Sequence, residues 1–183
     1  MRGSIMKPGA ISLDAIQDEP LSFAAPLHVG VAAFDREPLK AISPLEISGE
    51  VLRIDGGYAM SARLVYEGEL ECSRCLAIYP FREDEAFSLV LYPRRPPAEG
   101  EVELAKDDLD ALYYDDPVVP LAPIAEERVQ MALPMKPLCR PDCKGLCAEC
   151  GKDLNQGPCG CAHASVDPRW EALRALKGLK EKA

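Results

Sequence analysis

Alternating apolar and polar residues dominate the first half of the chain and predict β-strands. The segment Val-Leu-Arg-Ile at residues 51–54 is followed by Asp55, Gly56 and Gly57, which are typical turn residues. The alternating run after the turn has one apolar face, formed by Tyr58, Met60, Ala62, Leu64 and Tyr66. Alternation on both sides of a Gly-rich turn predicts a β-hairpin.

Further alternating runs extend this predicted sheet. Leu70 and Cys72 indicate a third strand, and Phe87, Leu89 and Leu91 indicate a fourth. Residues 10–16 and 21–31 could add edge strands or short helices. Successive antiparallel strands that share one apolar face predict a small antiparallel β-barrel or a curled sheet.

Helical spacing of apolar residues is found nearer the C-terminus. It predicts a helix at about residues 122–133, with Pro123 in its first turn and Pro134 after its end. A short basic helix is predicted after Asp167, the expected N-cap, and Pro168. The predicted fold class is therefore α+β: a small barrel or curled sheet with a few short helices and a Cys-rich C-terminal segment. We expect a β-rich core domain at residues 1–133 and a second part at 134–183.

Charge is unevenly distributed along the 183 residues. The chain carries 30 acidic and 21 basic residues, a net charge of −9. Residues 98–128 alone contain ten acidic and two basic residues, a net charge of −8. This acidic segment is either a solvated loop or a docking surface for a basic partner. The overall charge argues against a purely electrostatic grip on a polyanion and against binding to a membrane surface.

Cellular location decides how the cysteines are interpreted. The first residues contain no apolar stretch suited to a signal peptide, and no run of about 18 apolar residues occurs. We therefore expect a cytoplasmic protein, in which reducing conditions favour metal-bound thiolates over disulfides. The eight cysteines lie at positions 72, 75, 139, 143, 147, 150, 159 and 161.

The cysteine spacing predicts structural zinc sites. Cys147 and Cys150, followed by Gly151, have the form of a zinc knuckle, and Cys159 and Cys161 could complete a tetrahedral set. The remaining pairs could form a second site, with the members Cys72, Cys75, Cys139 and Cys143.

Other groupings and other chemistries remain open at this point. Cys139 and Cys143 could instead assist the knuckle. An iron–sulfur cluster is a rival to zinc, although neither ferredoxin spacing is present. Cys72 and Cys75 could also be a redox pair or two half-buried thiols, but they are predicted to lie in a strand and not at a helix N-terminus.

No pattern in the chain indicates an active site. A zinc ion with four thiolate ligands has no open position for water, so we expect no catalysis at the metal. The only histidines are His28 and His163. His163, near Cys161, could be a spare metal ligand, but we interpret it as a surface residue. Phosphate-binding loops, dinucleotide fingerprints and nucleophile elbows are absent from the sequence. We expect no enzymatic activity and no small-molecule substrate.

Several short segments resemble the YceD family, known as large ribosomal RNA subunit accumulation proteins. The resemblance is carried by residues 133–139, 142–147, 150–155 and 167–169, and by the segment from Cys72 to Leu76. It implies a bacterial cytoplasmic protein needed for the synthesis, processing or accumulation of large-subunit ribosomal RNA. It also implies that a metal site would stabilise this branch of the family and would not be the activity itself.

Two functions are compatible with these observations. The first is an assembly factor that touches ribosomal RNA through basic residues near the C-terminus. These residues are Arg140, Lys144, Lys152, Arg169, Arg174, Lys177 and Lys180. The second is a factor whose acidic residues 99–116 hold a basic ribosomal protein of the large subunit or recruit a processing enzyme. The net charge favours protein contact and the family resemblance favours RNA.

Overall fold

The computed structural model describes residues 6–7, 9–17, 19–94 and 111–161. The chain divides into two compact units, residues 1–139 and 140–183. The predicted C-terminal helix and the acidic residues 98–110 lie outside the described residues. Within the described part of the chain, no helix is both long and apolar enough to cross a lipid bilayer.

A six-stranded sheet forms most of the first unit. Its strands are β3 (Leu21–Leu27), β4 (Leu39–Ile42), β5 (Leu45–Ile54), β6 (Gly57–Glu71), β7 (Ile78–Pro93) and β8 (Ala111–Tyr114). Their order in the sheet is β3-β5-β6-β7-β8, and β4 pairs with β6 beyond the end of β5. All pairs are antiparallel except β7 with β8, which is parallel.

The predicted hairpin is confirmed and forms the pair β5–β6. Ile54 pairs with Gly57, so Asp55 and Gly56 form a two-residue turn. Gly56 has a φ of 78°, a value that glycine adopts without the steric penalty of a Cβ atom. The turn sequence and the alternation of residues therefore specified the same register.

The prediction of a separate third strand at Leu70 and Cys72 is wrong. β6 continues without a break to Glu71, and its pairing with β7 extends from Tyr58–Leu91 to Glu71–Ile78. Gly68 allows β4 to approach this part of β6 closely, because a Cβ at that position would lie 2.5 Å from the carbonyl oxygen of Ala41 on β4. Cys72 follows the end of β6 and belongs to the turn that connects it to β7.

The hydrophobic core lies on one face of the sheet and is covered by a helix. That helix, α1 (Leu121–Ala132), confirms the predicted one to within a residue and buries Leu121, Ile124, Ala125 and Val129. Residues three to four apart share one side of a helix, so this spacing directs all four towards the core. The most deeply buried core side chains of the sheet include Leu45, Ile47, Val51, Met60, Leu64, Tyr66 and Leu91.

A second, three-stranded sheet forms close to the start of α1. Its strands are β1 (Met6–Lys7), β2 (Ala10–Ser12) and β9 (Val118–Pro120), in the order β1-β2-β9. The N–H of Leu121 donates a hydrogen bond to the carbonyl of Gly9, which attaches the first turn of α1 to this sheet. Residues 10–16 and 21–31, whose sequence pattern is weak, thus include one short strand, β2, and one seven-residue strand, β3.

The described residues of the first unit are mostly β-structure with one α-helix. Among the described strands both sheets follow open paths, so the curled sheet fits the structure and a closed barrel is not formed by them. The described part of the second unit contains no strand longer than a single bridge, between Leu146 and Asp153. It has one 3-10 turn, Leu154–Gln156.

Candidate metal centres

The first cysteine turn connects β6 to β7 and contains Cys72 and Cys75. The N–H of Leu76 donates to the carbonyl of Cys72 at 2.9 Å, and the N–H of Cys72 donates to the carbonyl of Ala77 at 2.9 Å. The backbone N–H of Arg74 points at the Cys72 sulfur, with a nitrogen–sulfur distance of 3.5 Å. The turn therefore aims a backbone dipole at a potential ligand atom.

The second cysteine turn, with Cys147 and Cys150, repeats the same three hydrogen bonds. The N–H of Gly151 donates to the carbonyl of Cys147 at 2.9 Å, and the N–H of Cys147 donates to the carbonyl of Lys152 at 2.8 Å. The N–H of Glu149 lies 3.4 Å from the Cys147 sulfur. Identical offsets in both turns show that each Cys-x-x-Cys segment adopts one local structure.

The two turns differ in the residue that closes them. Gly151 has a φ of 71°, and Leu76, at the equivalent position, has a φ of 59°. This left-handed conformation is free of strain for glycine but costs about 1–2 kcal/mol for a residue with a Cβ atom. The Leu76 side chain is also 56% exposed, so burial of its apolar surface offsets little of that cost.

The eight cysteines converge in two groups of four. Within each group the sulfur atoms all lie within 4.8 Å of one another. One group contains Cys72, Cys75, Cys139 and Cys143, and the other contains Cys147, Cys150, Cys159 and Cys161. The structure thus brings together the two sets that the spacing suggested and does not add Cys139 or Cys143 to the knuckle.

The donor sets fit a tetrahedral metal ion. Four thiolates at about 2.3 Å from a metal lie about 3.8 Å from one another. The Cys75 and Cys139 sulfurs are 3.6 Å apart, and the Cys147 and Cys159 sulfurs are 3.3 Å apart. Either group could therefore hold a metal ion with small adjustments of its side chains.

Three ligands of the first group stand on the packed β-rich unit. Cys72 and Cys75 are buried, and the segment with Cys139 is attached to their turn by a hydrogen bond of 2.8 Å from the Ser73 N–H to the Pro137 carbonyl. Burial raises the pKa of Cys72, but hydrogen bonds from the backbone of Cys75, Cys139 and Arg74 outweigh it and lower the pKa to about 6. The site therefore favours the thiolate form that a metal requires.

The second group is more open to solvent. Cys147 is buried, but Cys150 is exposed. Hydrogen bonds from the backbone of Cys150 and Glu149 lower the pKa of Cys147 to about 6. Hydrogen bonding to Cys150 raises the pKa of Cys161 to about 12, because a thiol that shares its proton with a neighbouring sulfur holds that proton tightly. Metal binding at this group would displace that proton.

Asn155 organises the described part of the second unit, and sequence reasoning did not identify it. Its side-chain amide donates to the Cys143 sulfur at 3.4 Å and to Asp153 Oδ1 at 2.7 Å. Its side-chain oxygen accepts hydrogen bonds from the Arg140 guanidinium and the Lys144 N–H, both at 2.8 Å. The available signal was the Asp153-Leu-Asn155 sequence, since such residues favour local side-chain bonds to the backbone.

The residues predicted to touch RNA have internal roles as well. Arg140 bonds Asn155, as described above, and the Lys152 ammonium donates to the Pro158 carbonyl at 3.0 Å. The Lys144 side chain is exposed. The remaining members of that set lie outside the described residues, namely Arg169, Arg174, Lys177 and Lys180.

A metal held by four thiolates would supply cross-links and no chemistry. An ion in the first group would join segments that are distant in sequence, since Cys75 in the β6–β7 turn and Cys139 are 64 residues apart. An ion in the second group would close the shorter loop between Cys147 and Cys161. No coordination position would remain for a water molecule or a substrate. The groups are therefore suited to holding loops in place.

Comparison with known proteins adds the family. A family model described as large ribosomal RNA subunit accumulation protein YceD matches residues 60–177. The chain belongs to the YceD family. The YceD match includes β6 from Met60 onwards, β7, α1 and all eight cysteines, so both cysteine groups lie inside the region of family similarity.

Relatives of this YceD chain occur in mycobacteria. Proteins of Mycobacterium bovis and Mycobacterium tuberculosis, both named as uncharacterized, are 32% identical over 196 aligned positions, which cover 92% of this chain and 91% of each relative. A Mycobacterium leprae protein, also named as uncharacterized, is 35% identical over 56% of this chain and 45% of its own length. No solved structure matches the chain.

Proposed function

We propose that this protein is a non-enzymatic ribosome-biogenesis factor that acts in the bacterial cytoplasm and promotes the accumulation of large-subunit ribosomal RNA. The observation that supports the proposal most directly is the YceD match over residues 60–177. The structure is compatible with a binding protein, because its two cysteine groups are suited to holding surfaces in place and not to catalysis.

Zinc is the metal that we assign to both groups. Four thiolates in tetrahedral arrangement are the usual ligands of structural zinc, and iron–sulfur clusters are associated with other cysteine spacings. The role of zinc here would be to stabilise the turn between β6 and β7 and the loops of the second unit. Elemental analysis of protein purified under reducing conditions should give about two zinc ions per chain. Less than one zinc per chain would refute the assignment.

The functional proposal is tested by depletion and complementation. Loss of the protein in its native bacterium should lower the ratio of mature large-subunit to small-subunit ribosomal RNA, and re-expression should restore it. A matched pair of complementing variants, Cys75→Ser and Ser73→Ala, would show whether the metal group is needed, since only the first removes a ligand. Unchanged RNA ratios after complete depletion would contradict the proposal.

A second candidate function is supported by the acidic surface of the β6–β7 hairpin. Residues 63–71 and 78–86 contain six acidic and two basic residues. Four of the six carboxylates are paired, Glu67 with Arg82, Glu71 with Lys40, Asp84 with Arg63 and Glu85 with Arg128. Six carboxylates against these four cations leave the surface with a net negative charge. Such a surface would suit a factor that holds a basic ribosomal protein before assembly. Co-purification with a ribosomal protein that persists after ribonuclease treatment would favour this function over direct RNA binding.

A further inference from the structure

The two cysteine groups differ in their access to water. Three members of the first group are buried, each with at most 8% of its surface exposed, namely Cys72, Cys75 and Cys143. The fourth, Cys139, is partly exposed. In the second group only Cys147 is buried, and Cys150 is exposed together with its chain neighbours Glu149 and Gly151. A small solute therefore reaches Cys150 more readily than it reaches any buried cysteine of the first group.

Access to solvent matters because a sulfur bound to zinc is already in its reactive form. A metal-bound cysteine is a thiolate, and the thiolate is the form that hydroperoxides oxidise. The buried sulfurs of Cys147 and Cys143 also accept hydrogen bonds at 3.4 Å, from the Glu149 N–H and the Asn155 amide. Such a bond stabilises the thiolate and makes it a weaker nucleophile. Burial and hydrogen bonding therefore both protect these two sulfurs.

Other sulfurs of the second group lie close enough to Cys150 to complete an oxidation. All four sulfurs of this group lie within 4.8 Å of one another. The Cys161 side chain is hydrogen-bonded to Cys150, and the Cys147 and Cys159 sulfurs are 3.3 Å apart. A sulfenic acid formed at Cys150 would have a second cysteine beside it, which is the arrangement found in redox-sensitive proteins. The described segment around it has one isolated bridge and one short 3-10 turn, so its backbone can adjust to the geometry of a disulfide.

We infer that Cys150 is a modification site, at which hydrogen peroxide oxidises the second group and causes it to release its metal; this inference rests on the proposed zinc assignment. In the first step the Cys150 thiolate attacks the peroxide, the O–O bond breaks, and a sulfenic acid and hydroxide form. In the second step a neighbouring thiolate of the group attacks the sulfenic sulfur, an S–S bond forms, and a second hydroxide leaves. The two sulfurs together lose two electrons, which the peroxide gains, and zinc keeps its oxidation state.

Oxidation at Cys150 would loosen the second unit and spare the first. A disulfide uses two of the four thiolates, and the two that remain no longer form the tetrahedral set that holds a structural zinc ion. Among the described residues, the buried hydrophobic side chains of the second unit are those of Cys143 and Cys147 alone. So small a core cannot offset the conformational entropy of the segment once the metal has left. The modification therefore acts as a switch between an ordered and a loosened second unit.

Peroxide titration of the zinc-loaded 183-residue chain tests the inference, with a chromogenic chelator that counts the released zinc. One of the two zinc ions should be released about tenfold faster than the other, because hydroperoxides oxidise exposed thiolates first. A dithiol with added zinc should reverse the release. Peptide mapping after one equivalent of peroxide should find a disulfide between Cys150 and another member of its group. Equal release rates for the two ions, or a first disulfide that lacks Cys150, would overturn the inference.

Two matched variants separate the metal ligand from the oxidisable sulfur. Cys150→His keeps a zinc ligand, since sites with three cysteines and one histidine are common, but it removes the exposed sulfur. This variant should slow the fast release about tenfold. Cys139→His makes the same replacement at the partly exposed member of the first group and should leave the fast release unchanged. Fast release from Cys150→His at the wild-type rate contradicts the inference, and if that variant binds a single ion, the wild-type peptide map decides.

The outcomes also separate this inference from the proposals above. Less than one zinc ion per chain refutes the zinc assignment and the inference together. Two zinc ions that peroxide releases without preference overturn the inference alone. In either case the depletion experiment still decides whether the protein promotes the accumulation of ribosomal RNA.

Discussion

The two cysteine turns share one local structure but are supported by different surroundings, a β-sheet in one case and an irregular segment in the other. The turn at Cys72 connects two strands of 15 and 16 residues whose inner face is part of the hydrophobic core. The turn at Cys147 lies in a segment with one isolated bridge and one short 3-10 turn. In the first case the register of a sheet positions the sulfurs, whereas in the second case side-chain hydrogen bonds and the proposed metal must do so.

This difference concerns how folding and metal binding are coupled. A strand pair that buries apolar side chains is stable without a metal, so a metal at its end adds to an existing structure. A loop segment with few buried apolar groups cannot offset its conformational entropy, so its order depends on metal binding. We therefore expect the second unit to depend on zinc far more than the β6–β7 hairpin does.

Removal of the metal should produce the largest difference between the two regions. Zinc binding contributes on the order of 10 kcal/mol to the folding of small thiolate sites at neutral pH. After chelation, amide protons around Cys147 and Asn155 should lose protection from exchange, while those in the middle of β6 and β7 should keep it. Cys150→Ser should reproduce the first effect without the chelator. Equal loss of protection in the strands would contradict the comparison.

Asn155→Ala should weaken the second unit by a smaller amount. The substitution removes four hydrogen bonds, including the one to the Cys143 sulfur. Cys143 is a member of the first cysteine group, and loss of such a bond to a ligand lowers metal affinity about 10- to 100-fold. Competition with a chromogenic chelator should therefore show weaker zinc binding at the first group. Gln156→Ala is the control, because Gln156 is the next residue in the chain and its side chain makes only a long hydrogen bond of 3.3 Å to Asp153. Similar zinc affinities for the two variants would show that Asn155 does not support metal binding.

Substitution of Leu76 and Gly151, the residues that close the two turns, compares the turns directly. Gly151→Leu should destabilise the second unit by about 1–2 kcal/mol, since open space surrounds the glycine and only the backbone conformation resists the change. Leu76→Gly should stabilise the first unit by about 1 kcal/mol for the converse reason. Denaturant titration of both variants measures these effects. A destabilised Leu76→Gly protein would show that the leucine side chain supports the fold.

Tyr66→Phe should have the smallest effect on stability among these substitutions. It tests the hydrophobic core of the first unit. The Tyr66 hydroxyl is buried and has no hydrogen-bond partner among the described residues. Its removal should leave stability at neutral pH unchanged or raise it by about 1 kcal/mol. Thermal unfolding of the two proteins measures the difference.

The same substitution has a pH dependence with a defined sign. Burial raises the pKa of Tyr66 above its ordinary value of 10.0, and the nearby carboxylates of Glu83 and Glu85 raise it further. Above pH 10 the unfolded tyrosine loses its proton while the folded one keeps it, so the free energy of unfolding falls as pH rises. The wild type should lose more stability than Tyr66→Phe between pH 9 and about 11. Tyr113→Phe, at an exposed position, should behave like the wild type.

Local patterns predicted several elements because their physical causes are local. The Asp55-Gly56 turn and the alternation after it specify a hairpin through neighbouring residues alone. The apolar spacing from Leu121 to Val129 specifies one face of α1 in the same way. The separate third strand was a wrong prediction because β6 continues through Gly68 in register with β7, a pairing between segments that the local pattern does not report.

The candidate metal groups also combine features that local sequence predicts with features that depend on contacts between distant segments. The pair Cys147 and Cys150 was evident from spacing, because two thiolates two residues apart can reach one ion through a single turn. The partnership of Cys75 with Cys139 was only one of several options, since spacing does not report contacts between residues 64 positions apart.

Local sequence patterns were sufficient to predict the hairpin turn, the helix, the knuckle at Cys147 and the family resemblance, since each depends on residues close together in the chain. The membership of each cysteine group and the strained, exposed position of Leu76 became evident only from the fold. The physical reason is that hydrogen bonds and buried contacts between distant segments depend on the packing of the whole sheet. Local propensity contains no information about that packing.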